Sequence, residues 1–120
     1  MANKQSSRGL SKGEFNRLAA MIRRHVLAME EVAGIRGNVW ERVKDSFSRH
    51  RRRSFDGIVI VETDDTLLVA ISLTAYYGIV LPRLAERIQE ELKVICREYG
   101  PQRPVSVRVF IDNVVTMETK

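Results

Sequence analysis

The sequence predicts a single domain of the α+β class, in which a small mixed three-stranded sheet is covered on one face by two helices. In two long segments, apolar residues recur every three or four positions, which is typical of helices that bury one side. Three other segments have the apolar patterns of strands. The expected order within residues 11–115 is helix, short helix, strand, strand, helix, strand.

The first helix is expected to begin at Ser11, after a flexible polar tail over residues 1–10. Ser11 and Glu14 have the spacing of a capping box, in which each side chain reaches an unpaired amide of the first turn. The core-facing residues share one helical stripe: Phe15, Leu18, Ala19, Ile22, Val26 and Met29. Gly34 is expected to end this helix, because glycine accepts the left-handed conformation that follows many helices.

A short helix is predicted over Asn38–Ser48. Its apolar residues can line one face, although the same residues also fit an irregular connection: Val39, Trp40, Val43 and Phe47. The basic segment Arg49–Arg53 follows, and we expect an exposed loop there because its adjacent positive charges repel one another.

Two strands are predicted next, joined by a short turn. The run Ile58–Val61 is apolar throughout, Thr63–Asp65 has turn residues, and Leu67–Tyr76 alternates with a period of two. This pattern indicates an antiparallel hairpin.

A long amphipathic helix and a final strand complete the domain. Pro82 suits the first turn of the helix, and Gly100 is expected to end it. In the final strand, four residues are expected to face inward and three outward: Val105, Val107, Val109 and Ile111, against Ser106, Arg108 and Phe110. The unit from Leu67 to Ile111 is long enough for a parallel crossover between its two strands. Residues 116–120 are expected to form a C-terminal tail.

Composition and cysteine usage point to the cytoplasm. The chain has 44% hydrophobic residues and a single cysteine, Cys96, which excludes an intramolecular disulfide and fits a reducing compartment. Residues 1–8 lack the apolar run of a secretory signal, and the uncharged stretch Thr66–Pro82 is shorter than a membrane span. We therefore expect a cytoplasmic protein.

Positive charge is concentrated in the first half of the chain. Residues 1–57 hold thirteen Lys or Arg and six Asp or Glu, a balance of +7, whereas residues 58–120 have a balance of −2. Such asymmetry favours a polyanionic partner, either nucleic acid or an anionic lipid surface, although a solvated surface explains it equally well. The candidate polyanion-binding residues are Arg36, Arg42, Lys44, Arg49, Arg51, Arg52 and Arg53.

The sequence Gly34-Ile35-Arg36-Gly37 is a candidate backbone clamp. In K-homology domains, a Gly-x-x-Gly loop between two helices holds a nucleic-acid backbone, because glycines let phosphates approach closely. The same four residues also fit a helix end followed by a turn. A K-homology-like nucleic-acid-binding module is therefore the alternative function.

No group of residues predicts catalysis, a cofactor, a metal or a small-molecule substrate. A nucleophilic Cys96 would need a nearby histidine, and the chain contains only His25 and His50. The acidic residues Glu62, Asp64 and Asp65 match no metal-ligand spacing and are better explained by turn chemistry.

An ordered set of short motifs resembles the alkaline shock protein 23 family of envelope stress proteins. These motifs are Glu31–Ile35, Gly57–Val61, Leu68–Leu73, Tyr77-Gly78, Leu81-Pro82 with Ala85, Ile88-Gln89, and Val105-x-Val107-x-Val109. The resemblance covers residues 15 to 115. It implies a small non-enzymatic bacterial protein that self-associates and can be held at the inner face of the cell membrane by a membrane-anchored partner protein.

The primary functional hypothesis is therefore a cytoplasmic envelope-stress protein that acts by forming homo-oligomers and protein–protein contacts near the membrane. Its candidate self-association edge is the outward side of the last strand, formed by Ser106, Arg108 and Phe110. An edge strand offers unpaired amides and carbonyls to another chain.

Overall fold

The computed structural model describes residues 9–47, 50–100 and 103–117. Within them, three helices and five strands follow one another in the order α, β, α, β, β, β, α, β. The helices are α1 (Lys12–Leu27), α2 (Trp40–Phe47) and α3 (Leu81–Tyr99). The strands are β1 (Val32–Ile35), β2 (Arg51–Phe55), β3 (Ile58–Glu62), β4 (Leu67–Tyr76) and β5 (Val105–Val115).

Helix α1 begins as predicted but ends earlier than expected. The Ser11 hydroxyl accepts a hydrogen bond from the Glu14 amide at 3.1 Å, and the Glu14 carboxylate accepts one from the Ser11 amide at 2.8 Å, which completes the capping box. The helix stops at Leu27 with Ala28 as its cap. The prediction that Gly34 ends it is wrong, because the chain has already turned back and Gly34 lies in β1, paired with β4.

Strand β4 lies in the middle of one mixed sheet. Strand β5 pairs with it in parallel along its whole length, as the crossover prediction requires. On its other side, the first half of β4 pairs with β3 and the second half with β1, both antiparallel. Strand β2 extends the sheet beyond β3, so β5 forms one edge, and β2 and the short β1 lie along the other.

Apolar residues cover both faces of this sheet. Helices α1 and α3 pack on one face, where the predicted stripe of α1 is buried against alternate residues of β3 and β4. Helix α2 packs on the opposite face, where Val39 and Val43 meet Val59, Val61 and Ala70. The α+β class, the mixed sheet and the two helices on one face are confirmed, and α2 covers part of the other face.

Two strands, β1 and β2, are additional to the three that were predicted. The expected exposed loop at Arg49–Arg53 is wrong for its described part, because Arg51–Arg53 form β2 and pair with Ile60–Glu62 of β3. Arg49 lies outside the described residues. An edge strand accommodates charged side chains, since one of its sides stays in contact with solvent. Strand β1 forms because β4 is longer than β3 and leaves its second half available for pairing.

Residues Gly9 and Leu10, predicted to belong to the polar tail, are part of the domain. Leu10 is buried in the main core, and its amide donates to the Glu62 carboxylate at 3.0 Å. Glu62 is itself buried. Its carboxylate forms ion pairs with the guanidinium groups of Arg51, at 2.7 Å, and Arg103, at 3.3 Å. Because both arginines surround it, this carboxylate is neutralised inside the fold.

The turn between β2 and β3 packs against the loop after β1. The Gly57 amide donates to the Gly37 carbonyl at 2.9 Å, and Gly57 has a φ of +83°. A Cβ atom on Gly57 would lie 2.6 Å from the Arg36 amide nitrogen, closer than Cβ atoms approach other atoms. Glycine at this position therefore provides both the left-handed backbone and the close contact.

Replacing Gly57 with alanine is expected to destabilise the protein by about 2–3 kcal/mol, because the new methyl group meets both backbone strain and a clash. Gly13→Ala is the control: Gly13 lies in α1, and its Cβ would be 4.0 Å from the Ser11 hydroxyl. There, alanine should be neutral or stabilise by about 0.5 kcal/mol. Urea unfolding measures both, and equal unfolding free energies for the two variants would contradict the packing described here.

Candidate functional site

The outer edge of β5 presents unpaired backbone groups. The Pro104 carbonyl accepts a hydrogen bond from the Leu67 amide at 2.9 Å and so faces β4. Because successive strand residues point to alternate sides, Val105, Val107, Val109 and Ile111 direct their amides and carbonyls away from β4. The Val107 carbonyl accepts a long hydrogen bond of 3.4 Å from Gln89 of α3. Within the described residues, β4 is the only strand that pairs with β5.

The side chains of β5 divide between the two faces of the sheet as the alternation predicts. Val105, Val107, Val109 and Ile111 lie against the core under α1 and α3. The residues of the predicted self-association edge face the α2 side, where Phe110 packs against the second core and Arg108 stacks on Phe47 with its guanidinium 5.5 Å from the ring centre. Ser106 is exposed beside them.

Three arginine–aromatic pairs join α2 to the strands on either side of it. Arg52 of β2 lies 4.0 Å from the Trp40 ring centre, and Arg42 of α2 lies 4.8 Å from that of Phe110. The Arg108–Phe47 pair is the third. Stacking of this kind buries part of each guanidinium and holds α2 in place across the sheet. The aromatic residues of α2 therefore have a packing role, as the sequence suggested.

Asp112 is a site residue that the sequence reasoning missed. Its carboxylate accepts hydrogen bonds from the Ser72 hydroxyl of β4 and the Arg42 guanidinium of α2. Asp112 also lies where the register between β4 and β5 shifts by one residue, since Leu73 pairs with Ile111 and Thr74 with Asn113. The sequence signal for this role was an acidic residue within a strand rich in apolar residues. Its side chain lies on the α2 side, the same side as that of Phe110, because the two residues are two positions apart in the strand.

The candidate polyanion-binding residues do not form one patch. On β2, Arg51 and Arg53 share the side of the sheet that packs against α1, whereas Arg52 faces α2. Three of the candidate cations have carboxylate partners: Arg42 with Asp112, Lys44 with Glu41 at 2.8 Å, and Arg51 with Glu62 at 2.7 Å. Arg36 is exposed in the loop after β1. Division between two faces and local neutralisation both reduce the positive field that a phosphate chain would meet.

The candidate clamp loop also differs from its expected form. It connects strand β1 to helix α2 rather than one helix to another, and Ile35 is buried in the core. The Gly37 amide donates to the Asp56 carboxylate at 3.0 Å, and the Gly37 carbonyl accepts from Gly57. The amide that would meet a phosphate is therefore already bound to a carboxylate of the same chain.

Cys96 does not have the environment of a nucleophile. It is fully buried in the main core, and burial raises the pKa of its thiol to about 12.

His25 hydrogen-bonds Glu91 at 2.6 Å, and this bond, together with Arg87, lowers the pKa of the Glu91 carboxyl. His25 is thus part of a hydrogen-bonded network that joins α1 to α3.

A cavity of about 260 Å³ lies beside the neutralised Glu62. Its lining includes Gly9, His50, Arg51, Thr63, Asp64 and Arg103. The Arg103 guanidinium donates to the Thr63 carbonyl at 3.0 Å as well as facing Glu62, so it is held by the fold. Across residues 9–47, 50–100 and 103–117, no three His, Cys, Asp or Glu side chains are grouped so that they could hold a metal ion.

Comparisons with protein-family models, with curated proteins and with solved structures find no match to this chain. The resemblance to the alkaline shock protein 23 family thus remains a prediction from the motifs. In the described part of the chain, none of the helices combines the length and apolar character that a membrane span requires.

Single-stranded RNA is expected to bind weakly at physiological salt, with no saturation in the micromolar range, because the Gly37 amide and three of the candidate cations are already paired. Fluorescence anisotropy with a labelled RNA measures this. Micromolar binding that Arg36→Glu with Arg52→Glu abolishes, and that the exposed control Arg17→Glu retains, would contradict the expectation. Ile35 is unsuitable for such a test, since a charge at this buried position would disrupt the core.

Proposed function

We propose that the protein is a non-enzymatic scaffold that acts by self-association and protein–protein contacts, in the manner of the envelope stress proteins that its motifs resemble. The observation that carries the proposal is the open edge of β5. This strand is eleven residues long, and within the described residues it pairs with β4 alone. A long edge strand with unpaired backbone groups is a template for another chain.

The two edges of the sheet differ in a way that supports this proposal. Strand β2 has three consecutive arginines, Arg51–Arg53, and charged residues on an edge oppose pairing with a further strand. Strand β5 is rich in β-branched residues, and Arg108 and Asp112 are its only charged residues. Each copy therefore has one edge strand, β2, that discourages pairing and a longer one, β5, that favours it.

Exposed apolar residues extend this surface beyond the edge itself. Where β4 and β5 end, Tyr77 and Val80 are exposed by 75% and 60%, and Met117 by 60%. Val114 and Val115 at the end of β5 are also exposed. A cluster of large exposed apolar side chains is typical of an interaction site. We assign this end of the sheet to the contact with a membrane-anchored partner protein, which would hold the scaffold at the inner face of the membrane.

The nucleic-acid alternative has weaker support. It depends on a clamp whose central amide is occupied by Asp56 and on cations that lie on two sides of the sheet. On the β5 edge, by contrast, the outward amides and carbonyls of Val109 and Ile111 have no partner among the described residues.

Val109→Pro is expected to weaken self-association at least about tenfold, because proline removes an outward-facing amide from each copy. The pairing with β4 is retained, since the Val109 amide points away from it. Val109→Thr is the control: it keeps the amide and nearly the same shape. Size-exclusion chromatography with light scattering over a range of concentrations measures the effect, and thermal unfolding confirms that both variants fold. A wild-type protein that stays monomeric at all concentrations would contradict the proposal.

A further inference from the structure

The geometry of β5 points to a specific partner and register: we propose that two copies pair their β5 edges antiparallel, about a two-fold axis at Phe110. In this arrangement, Arg108 of each copy lies opposite Asp112 of the other. The inference rests on the proposed self-association and adds its symmetry and its register.

A closed pair follows from the difference between the two edges. Strand β2 opposes pairing through Arg51–Arg53, so growth of a continuous sheet from β5 of one copy to β2 of the next is disfavoured. The other open edge, β1, has only four residues, so pairing of β5 with β5 uses the longest edge of both copies. An interface that uses the same surface on both copies has two-fold symmetry, and two identical strands related in this way run antiparallel within one sheet.

The backbone groups of Val109 and Ile111 are compatible with an axis at Phe110, whereas beyond the bulge at Asp112 the Val115 carbonyl faces β4 and accepts a hydrogen bond from the Tyr77 amide. Val109 and Ile111 both direct their amides and carbonyls away from β4, as deduced from the Pro104–Leu67 hydrogen bond. With the axis at Phe110, Val109 of one copy lies opposite Ile111 of the other. These two residues exchange both backbone hydrogen bonds, as antiparallel pairing requires. Phe110 then faces its own copy across a non-hydrogen-bonded position.

Side-chain charges select this register from its neighbours. An axis at Arg108 would place two arginines directly opposite each other, and like charges at opposed positions are destabilising. An axis at Val109 would place Arg108 opposite Phe110 and leave Asp112 opposite Ser106. Only the axis at Phe110 forms two Arg–Asp pairs, one on each side of a central aromatic pair.

The side chains involved already lie on one side of the sheet. Arg108 stacks on Phe47 of α2, Phe110 packs beneath Arg42, and Asp112 is bound to Arg42 and Ser72. The Asp112 side chain is about one-third exposed, so its carboxylate can accept another donor. Arg108 of the second copy would then join the Arg42–Asp112 pair in a network that crosses the interface.

A cysteine at the axis tests the register directly. Opposed residues at a non-hydrogen-bonded position have Cα atoms about 4.5 Å apart, which suits a disulfide. Phe110→Cys is therefore expected to form a disulfide-linked dimer under mild oxidation. The native Cys96 is fully buried with a thiol pKa of about 12, so the unmodified protein is a silent background. In Ser106→Cys, the two thiols would lie roughly 25 Å apart, and no linked dimer should form.

Charge reversal tests the Arg–Asp pairs. Arg108→Glu places two carboxylates opposite each other on both sides of the axis, and we expect a dimer dissociation constant about tenfold higher. Arg17→Glu is the control, because it changes the net charge equally at an exposed position of α1. This variant should leave the dimer dissociation constant unchanged. Analytical ultracentrifugation measures both.

The outcomes separate the register from self-association itself. Linked dimers at position 110 with loss of affinity in Arg108→Glu support the proposal. A wild-type protein that dimerises while position 110 does not link and Arg108→Glu binds normally would overturn the register and leave self-association standing. A wild-type protein that never dimerises would overturn both.

Discussion

The pairing of β4 with three other strands is the constraint on which the rest of the structure depends. Its ten residues are almost entirely buried, and they hydrogen-bond β5 on one side and β3 followed by β1 on the other. The apolar residues on its two faces hold α1 and α3 on one side and α2 on the other. Because β4 is long enough for two antiparallel partners in succession, the short segment Val32–Ile35 becomes a strand, and the glycine loop after it packs against the β2–β3 turn.

The same arrangement produces an asymmetric pair of edges. Strand β5 pairs in parallel with β4 on one side, and its other side is unpaired. On the opposite side of the sheet, β2 pairs antiparallel with β3, which places the arginines of β2 at that edge. The arginines are used locally, in a bond to a buried carboxylate by Arg51 and in stacking on Trp40 by Arg52. Positive charge therefore protects the β2 edge and stabilises α2. The β5 edge has only Arg108 and Asp112 as charged residues, and it is the surface that best supports a function.

Local periodicity is why much of the fold could be predicted. The stripe from Phe15 to Val26 and the alternation over Leu67–Tyr76 are repeated often enough to indicate a helix and a strand without knowledge of their partners. Strands β1 and β2 could not be predicted in this way. Val32–Ile35 is too short to show a period, and Arg51–Arg53 contain no apolar alternation, so both depend on partners distant in sequence. For the site, the faces of Arg108 and Phe110 follow from alternation, whereas the role of Asp112 depends on the approach of Arg42 from α2, which the local sequence does not show.

The most direct test of the central claim, that copies associate through the β5 edge, is hydrogen exchange followed residue by residue at low and high protein concentration. The account predicts that the amides of Val109 and Ile111 exchange more slowly at high concentration, as they acquire partners from a second copy, while those of β2 do not change. Slower exchange in β2 or on the helices, with unchanged exchange in β5 as the particle mass rises, would contradict it.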